Sequence, residues 1–312
     1  MLTRCYTLLA FVFPALAATC SAQPRNPCFV FRLNGDVSVV CGNSRAQITH
    51  RGDIEDSAVS DEQAVFAYVT SRVTGRIPGG AIVGYTATLI DLKSGRTKTM
   101  EVVRPHILST CGSIFQLDGS KDAPANRDLV SGKEIDVRPY VWFRCSADRK
   151  TVVGNTKNLG ADYPGRPATS VQQDEGGDLL EGIPPTTKIA AGRTFDAYRY
   201  NISPDGSKVV HFDDSHLLCV FAATADKCGE NGEFDGPASV NDLGEVLVSF
   251  GTGKTCYSRG SEDECFGIGY WKPGLKSIQV VEPVGSYPQW IRPETAELLR
   301  KWSTTSGGDA IK

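Results

Sequence analysis

The chain has 312 residues, with 33 Lys and Arg against 36 Asp and Glu, for a net charge of −3. There is no basic excess, so the electrostatic footprint of a nucleic-acid-binding protein is missing, and anionic membrane surfaces are not expected partners. A hydrophobic content of 40% with 9% aromatics is enough to build a core, which excludes wholesale disorder.

The first element along the chain is a leader. Arg4 supplies a short positive region, Leu8–Ala18 is an apolar run, and small residues follow. This is the layout of a secretory signal peptide. The run falls short of the roughly 20 apolar residues that span a bilayer, and no later run in the sequence approaches that length, so no transmembrane segment is expected. Cleavage could follow Ala17 or Ala22. Of the ten Cys, Cys5 and Cys20 lie in the leader, and cleavage after Ala22 leaves Cys28, Cys41, Cys111, Cys145, Cys219, Cys228, Cys256 and Cys265. An even set in an exported chain reads as disulfides. Residues 1–22 are therefore predicted to be a signal peptide, and the mature protein to be secreted or periplasmic. Cleavage after Ala17 would leave Cys20 unpaired. Lipid anchoring at Cys20 is disfavoured, because Thr19 stands where a lipobox has Gly, Ala or Ser.

Beyond the leader the local pattern is short strands between turn signals: Val37–Val40, Val65–Val69, Thr86–Leu92, Val209–Phe212, Leu217–Phe221, Val246–Phe250 and Ser277–Val281. They are rich in β-branched, aromatic and other apolar residues and are bounded by Gly, Asn, Asp and Pro. Only Pro293–Trp302 reads as a helix, with Pro293 in the first turn, Glu294 and Glu297 early, and Arg300 and Lys301 late.

The strands repeat. Ile202–Phe212 (ISPDGSKVVHF) aligns with Val240–Phe250 (VNDLGEVLVSF), placing Gly206 on Gly244, Val209 on Leu247 and Phe212 on Phe250. Val59–Val69 and Cys145–Asn155 are weaker copies, and the copies are 86, 57 and 38 residues apart in chain order. Each is a polar turn feeding a β-run, with Asp or Asn bonding nearby backbone and Gly supplying positive φ. A period near 40 with about four strands per unit is the signature of a propeller blade.

ISPDGSKVVHF resembles the turn-plus-strand of TolB-type, WD-repeat-like propellers. VNDLGEVLVSF, followed by Gly269-Tyr270-Trp271-Lys272-Pro273-Gly274, is similar to the HAF-type repeats of extracellular bacterial proteins. The resemblance is clearest over residues 200–285 and implies a fold, not an activity. The expected architecture is all-β. A β-propeller of about five to seven blades occupies residues 23–290, and a C-terminal helical tail, 291–312, can lie outside the ring. Residues 156–195, rich in Pro and Gly and carrying Asp174-Glu175-Gly176-Gly177-Asp178, read as a long inserted loop, a length uncommon unless functional or disordered.

Cys219 and Cys228 have the same spacing as Cys256 and Cys265, and the two pairs sit 37 residues apart. The repeat therefore predicts Cys219–Cys228 and Cys256–Cys265, in equivalent hairpins of successive blades. Cys28–Cys41 and Cys111–Cys145 follow by order and elimination. The spacing is wrong for zinc, whose structural ligands usually stand two to four residues apart.

Little catalytic chemistry is legible. Gly251–Thr255 (GTGKT) resembles the end of a phosphate-binding loop but lacks the earlier Gly, Val248 standing there, and a following helix. His211, Asp213, Asp214 and His216 form the one candidate metal cluster, with a polar hairpin turn as the plainer reading. His50 and His106 are isolated and take no role. Asp118–Asp128 offers oxygens for calcium without EF-hand order. No cofactor is expected beyond that calcium alternative. No G-x-S-x-G elbow is present, and no catalytic residue is assigned. The expected role is a protein- or glycan-binding module. The alternative is a carbohydrate-active hydrolase or lyase using axial carboxylates, drawn from Asp174, Glu175, Asp178, Asp213 and Asp214.

Overall fold

The computed structural model describes residues 28–102, 107–111, 114–117, 125–128, 140–147, 152–156, 167–168, 171–172, 195–196, 201–212, 216–222, 225–232, 234–258 and 261–305, those between 107 and 196 mainly as backbone. The first strands are β1 (Cys28–Leu33), β2 (Asp36–Cys41), β3 (Ser44–Gln47), β4 (Ile54–Ser60), β5 (Val65–Ile77), β6 (Gly80–Asp91) and β7 (Thr97–Val102). Then come β8 (Ile107–Cys111), β9 (Ile114–Leu117), β10 (Ala125–Asp128), β11 (Tyr140–Cys145), β12 (Val152–Thr156), β13 (Pro167–Ala168), β14 (Val171–Gln172) and β15 (Phe195–Asp196). The chain continues through β16 (Asn201–Ile202), β17 (Lys208–Phe212), β18 (Leu217–Ala222), β19 (Ala225–Asn231), β20 (Phe234–Val240), β21 (Val246–Ser258), β22 (Ser261–Trp271), β23 (Gln279–Glu282), β24 (Ser286–Ile291) and the helix α1 (Pro293–Thr305).

Four sheets have four antiparallel strands: β4-β5-β6-β7, β16-β17-β18-β19, β20-β21-β22-β23, and β24-β1-β2-β3, which joins the two ends of the chain. Smaller sheets are β8-β9-β10, β11-β12-β14 and β13-β15. The first strand of each main sheet touches the first strand of the next. The contacts run from β24 to β4, β8, β11, β16 and β20, and from β20 back to β24. This is a β-propeller, and β13, β14 and the first residue of β15 fall inside the segment read as a long loop.

Period-2 alternation explains the stacking. On β21, Val246 and Val248 enter a core shared with Val210, Phe212, Leu218 and Val220 of the preceding sheet, while Leu247 points the other way, to Phe29 and Phe31. On β1, Phe29 and Phe31 face that second core, while Cys28 and Val30 face a third with Phe66 and Tyr68. The sheets containing β1 and β21 are thus apolar on both faces, which each can bury only between two neighbours.

The repeat copies occupy equivalent places. Ser203–Gly206 joins β16 to β17 and Asn241–Gly244 joins β20 to β21, with Gly206 at φ 74° and Gly244 at φ 79°. In both turns the Gly N–H donates to the carbonyl three residues back, on Ser203 and Asn241. The Val59 copy turns from β4 to β5 with Ala64 at φ 52°.

The helix packs into the core between β1-β2 and β4-β5 through Ala296, Leu299 and Trp302. Trp302 sets its ring edge-on to Phe66, centroids 5.8 Å apart. Its start is held from a neighbouring sheet: the Arg292 N–H donates to the Asp61 carboxylate at 3.1 Å, and the Arg292 guanidinium meets Glu62 at 2.8 Å. Burial pushes the Asp61 carboxyl up, against the lowering effect of hydrogen bonds from Thr295 and Arg292.

Cys28–Cys41 and Cys219–Cys228 are disulfides between directly opposed residues of paired strands. Cys265 is also disulfide-bonded, while the side chains of Cys111, Cys145 and Cys256 lie outside the described residues. The expectation of equivalent hairpins is corrected. Cys219 and Cys228 lie on the third and fourth strands of their sheet, but Cys256 and Cys265 lie on the second and third of theirs. The hairpin of β21 and β22 is extended, which moves its cysteines along the sequence and produces the same offset by a different route. GTGKT lies within that extension, where β21 bulges and Gly253 takes φ 65°, and no helix follows.

Candidate functional site

One end of the strands differs from the other. Strand β4 pairs with β5 only as far as Ile54–Thr70, and β7 with β6 only as far as Tyr85–Val102. Strands β5 and β6 continue alone to Ile77–Gly80, with Gly79 at φ 90° closing the turn. Beyond Ser71, whose N–H still donates to the Asp53 carbonyl, the extension's outer backbone edges have no strand partner among the described residues, and Val73 (58%), Ile77 (55%), Ile82 (48%) and Val83 (40%) are exposed. Strands β21 and β22 also run on, to the pair Ser258–Ser261, beyond the last β20 partner at Phe250. Between these two sheets in the ring lies the one containing β1 and β2. Its turn is the tight Asn34-Gly35, at φ 53° and 74°, a left-handed pair suited to a two-residue hairpin.

Polar groups gather at this end. The Asp36 carboxylate accepts from the N–H groups of Arg51 (2.7 Å) and Gly52 (3.2 Å), from Thr49 Oγ1 (2.9 Å) and from Gln47 Nε2 (3.1 Å). Arg51 pairs with Asp53, and the Ser71 hydroxyl donates to Glu55 at 2.6 Å. These carboxylates orient loops.

Arg32 is different. It is the penultimate residue of the apolar strand CFVFRL, and its side chain is only 13% exposed. Its guanidinium carbon lies 3.8 Å from the centroid of the Tyr287 ring, a cation–π stack. The nearest carboxylate oxygen, on Asp56, is 3.9 Å away, and the buried Nε finds no hydrogen-bond partner. Tyr287 is itself constrained, with φ at 54°, and its N–H donates to Ser249 Oγ at 2.8 Å. A non-glycine residue held in the left-handed region stores strain of about 1–3 kcal/mol, and such residues cluster at functional sites. The result is a cation on a rigid aromatic base with donor capacity to spare, a geometry that suits a carboxylate or another oxyanion.

The opposite end of the strands carries the repeat turns. The Asp205 N–H donates to Asp242 Oδ1 at 2.8 Å, and Lys208 Nζ bonds the Asp242 carbonyl, so successive sheets are tied turn to turn. Burial raises the Asp242 carboxyl, with the Asp205 charge adding to it. Burial also works to raise Asp205, but hydrogen bonds from Ser203 and Ser207 and the charge of Lys208 win, and its carboxyl is held low.

Of the predicted site residues, His211 lies on β17, 4% exposed, with Nε2 2.9 Å from Asp226 Oδ1. His216 is exposed at φ 59°. Asp213, Asp214, Asp174, Glu175 and Asp178 lie outside the described residues, as do residues 1–22, predicted to be a signal peptide, and most of Asp118–Asp128. Among the described residues no group of three or more His, Cys, Asp or Glu is placed to hold a metal ion, and no helix is long and apolar enough to cross a membrane. Sequence reasoning missed Arg32, Asp56, Tyr287 and the extended hairpin. The one available signal was an Arg one residue from the end of an otherwise apolar strand.

No protein-family model matches the chain, and no curated protein matches it. Solved structures do. The acylaminoacyl peptidase of Pyrococcus horikoshii is 13% identical over 73% of this chain, with a TM-score of 0.40; the chain spans 39% of its length. The β-propeller domain of the Trilobed protease from Pyrococcus furiosus is 12% identical, covering 73% of this chain and 70% of its own, at 0.38. A chain of a mitotic checkpoint complex is 11% identical over 90% of this chain and 89% of its own, at 0.41. Scores this low carry no argument, and the propeller architecture rests on the strand pairing above.

Proposed function

We propose that this protein is an exported, disulfide-bonded binding module that recognises a carboxylate-bearing partner, protein or glycan, at the face containing Arg32 and Tyr287. The observation that carries the reading is the buried Arg32 guanidinium, stacked on Tyr287 with its Nε unsatisfied. A buried donor without a partner costs about 1–3 kcal/mol, which leaves the cation under-compensated, and a ligand oxyanion at the 13% of the side chain that is exposed would add the charge-assisted bonds that Asp56, at 3.9 Å, does not supply. The leader layout and the Cys28–Cys41 and Cys219–Cys228 disulfides support export.

The test is calorimetric titration of the oxidised mature protein with uronate-containing oligosaccharides, their neutral counterparts, and Asp/Glu-rich peptides. One acidic class is expected to bind and the neutral sugars not. Arg32→Met should weaken that binding by roughly 100-fold, the worth of a charge-assisted pair. Equal binding by Arg32→Met and the parent would sink the reading. Reducing-end assays on the same sugars report on the hydrolase alternative, since cleavage would make the module an enzyme.

A further inference from the structure

The extended hairpin of β5 and β6 bears a feature that the Arg32 reading does not use. Paired residues share a face. Val73 and Val83 therefore lie on one face of the extension with Arg76, while a bulge between Val73 and Gly75 leaves Ile77 and Ile82 on the other with Arg72. All four apolar side chains are at least 40% exposed. This hairpin therefore presents apolar side chains on both faces. A flat protein groove would cover one face and leave the other wet, whereas a bilayer surface surrounds a tip on every side.

The charges agree. From Gln63 to Ile90 the only charged residues are Arg72 and Arg76. Seven residues, Ser71–Ile77, extend past the last β4 partner, a reach of about 20 Å at strand rise. That is more than two Debye lengths at physiological ionic strength, each about 8 Å. The tip is thus screened from the chain's net negative charge, which makes the whole-chain balance a poor guide to what this segment meets. At its base stand Glu55, bonded to Ser71, and Glu101, opposite Thr86. The two outer backbone edges, without a strand partner among the described residues, set the depth. Hydrocarbon would leave their N–H and C=O groups unsatisfied, but the headgroup zone supplies water and phosphate. Arg72 and Arg76 can reach phosphates there while their stems lie along apolar surface.

We infer that the β5–β6 hairpin is a peripheral membrane contact that seats Val73, Ile77, Ile82 and Val83 in the interfacial zone of an anionic bilayer, with Arg72 and Arg76 on lipid phosphates. This stands apart from ligand recognition at Arg32. The experiment is co-sedimentation of the oxidised full-length mature protein with large vesicles of phosphatidylcholine alone or mixed with phosphatidylglycerol. The parent should bind the mixed vesicles and release in high salt. Arg72→Gln/Arg76→Gln should weaken binding by roughly 25-fold, about fivefold per arginine. Ile77→Ser/Ile82→Ser, at exposed sites that leave the melting temperature unchanged, should weaken it by at least roughly tenfold. Arg32→Met should bind as the parent does, which separates this result from the ligand test. Three outcomes overturn the inference: no binding of the parent to mixed vesicles, undiminished binding by the isoleucine variant, or sedimentation equilibrium showing isoleucine-dependent self-association without vesicles, which would give the face to a second copy or another protein.

Discussion

Asp205 and Asp242 face each other across two turns built from the same local chemistry, yet their carboxyls are shifted in opposite directions. Asp205 is held low, so the fold favours its ionised form. That stability is fully present above the ordinary Asp value of about 3.9 and is lost as pH falls through the lower folded value. Asp205→Asn should therefore destabilise the protein at pH 7 by about 1 kcal/mol, the worth of a net hydrogen bond. In melts followed by circular dichroism, the gap to the parent should narrow as the pH falls below the ordinary Asp value. A gap that is constant with pH would show that the charge is not what matters. Asp242 has the reverse sign: its raised value favours the protonated form, so its contribution is lost as pH rises through the folded value. Gly229 poses a packing constraint instead. A Cβ there would stand 2.4 Å from the buried Trp271 ring of the next sheet. Gly229→Ala should cost about 1–3 kcal/mol by overpacking, measured as a lower urea midpoint with an unchanged slope.

At the scale of elements, the disulfides and turns divide what the sequence reveals from what it hides. The turn copies were legible because Gly206 and Gly244 are needed for positive φ, a demand that leaves a mark in sequence. The strand starts Val65 and Val246 were legible too, and the expected start at Val209 fell one residue inside β17, which begins at Lys208. The hairpin extension of β5 was not, since Ser71–Ile77 is dotted with Gly, Thr and Arg and its pairing rests on β6 alone. Arg32, Asp56 and Tyr287 were invisible as a group, because ring closure brings Tyr287, from the far end of the chain, onto Arg32. Cys219–Cys228 and Cys28–Cys41 close loops with sequence separations of 9 and 13 residues, for which the chain-entropy estimate is about 3 kcal/mol each. The double variant Cys219→Ser/Cys228→Ser should lower stability by about that amount in denaturant melts. The parent in reductant should fall at least as far.

At the scale of the whole molecule, the ring is held shut by β24 on β1 and by the helix that follows. Ala296, Leu299 and Trp302 fill the space between two sheets. Trp302→Ala should cost about 3–5 kcal/mol and make the C-terminal segment the first site of limited proteolysis. The helix was legible to within a few residues, but its place was not. Its sequence shows an amphipathic pattern without saying which sheets receive it.

The sheet made from both chain ends also dictates an order of events. A chain that emerges amino terminus first presents β1 early, with its partner β2 close behind. The strand that completes β1 lies more than 250 residues later. Throughout that interval one side of CFVFRL is an open template for any extended segment nearby. The Cys28–Cys41 bridge, which can close as soon as both residues are in an oxidising space, fixes the register of the waiting hairpin long before its final neighbour arrives.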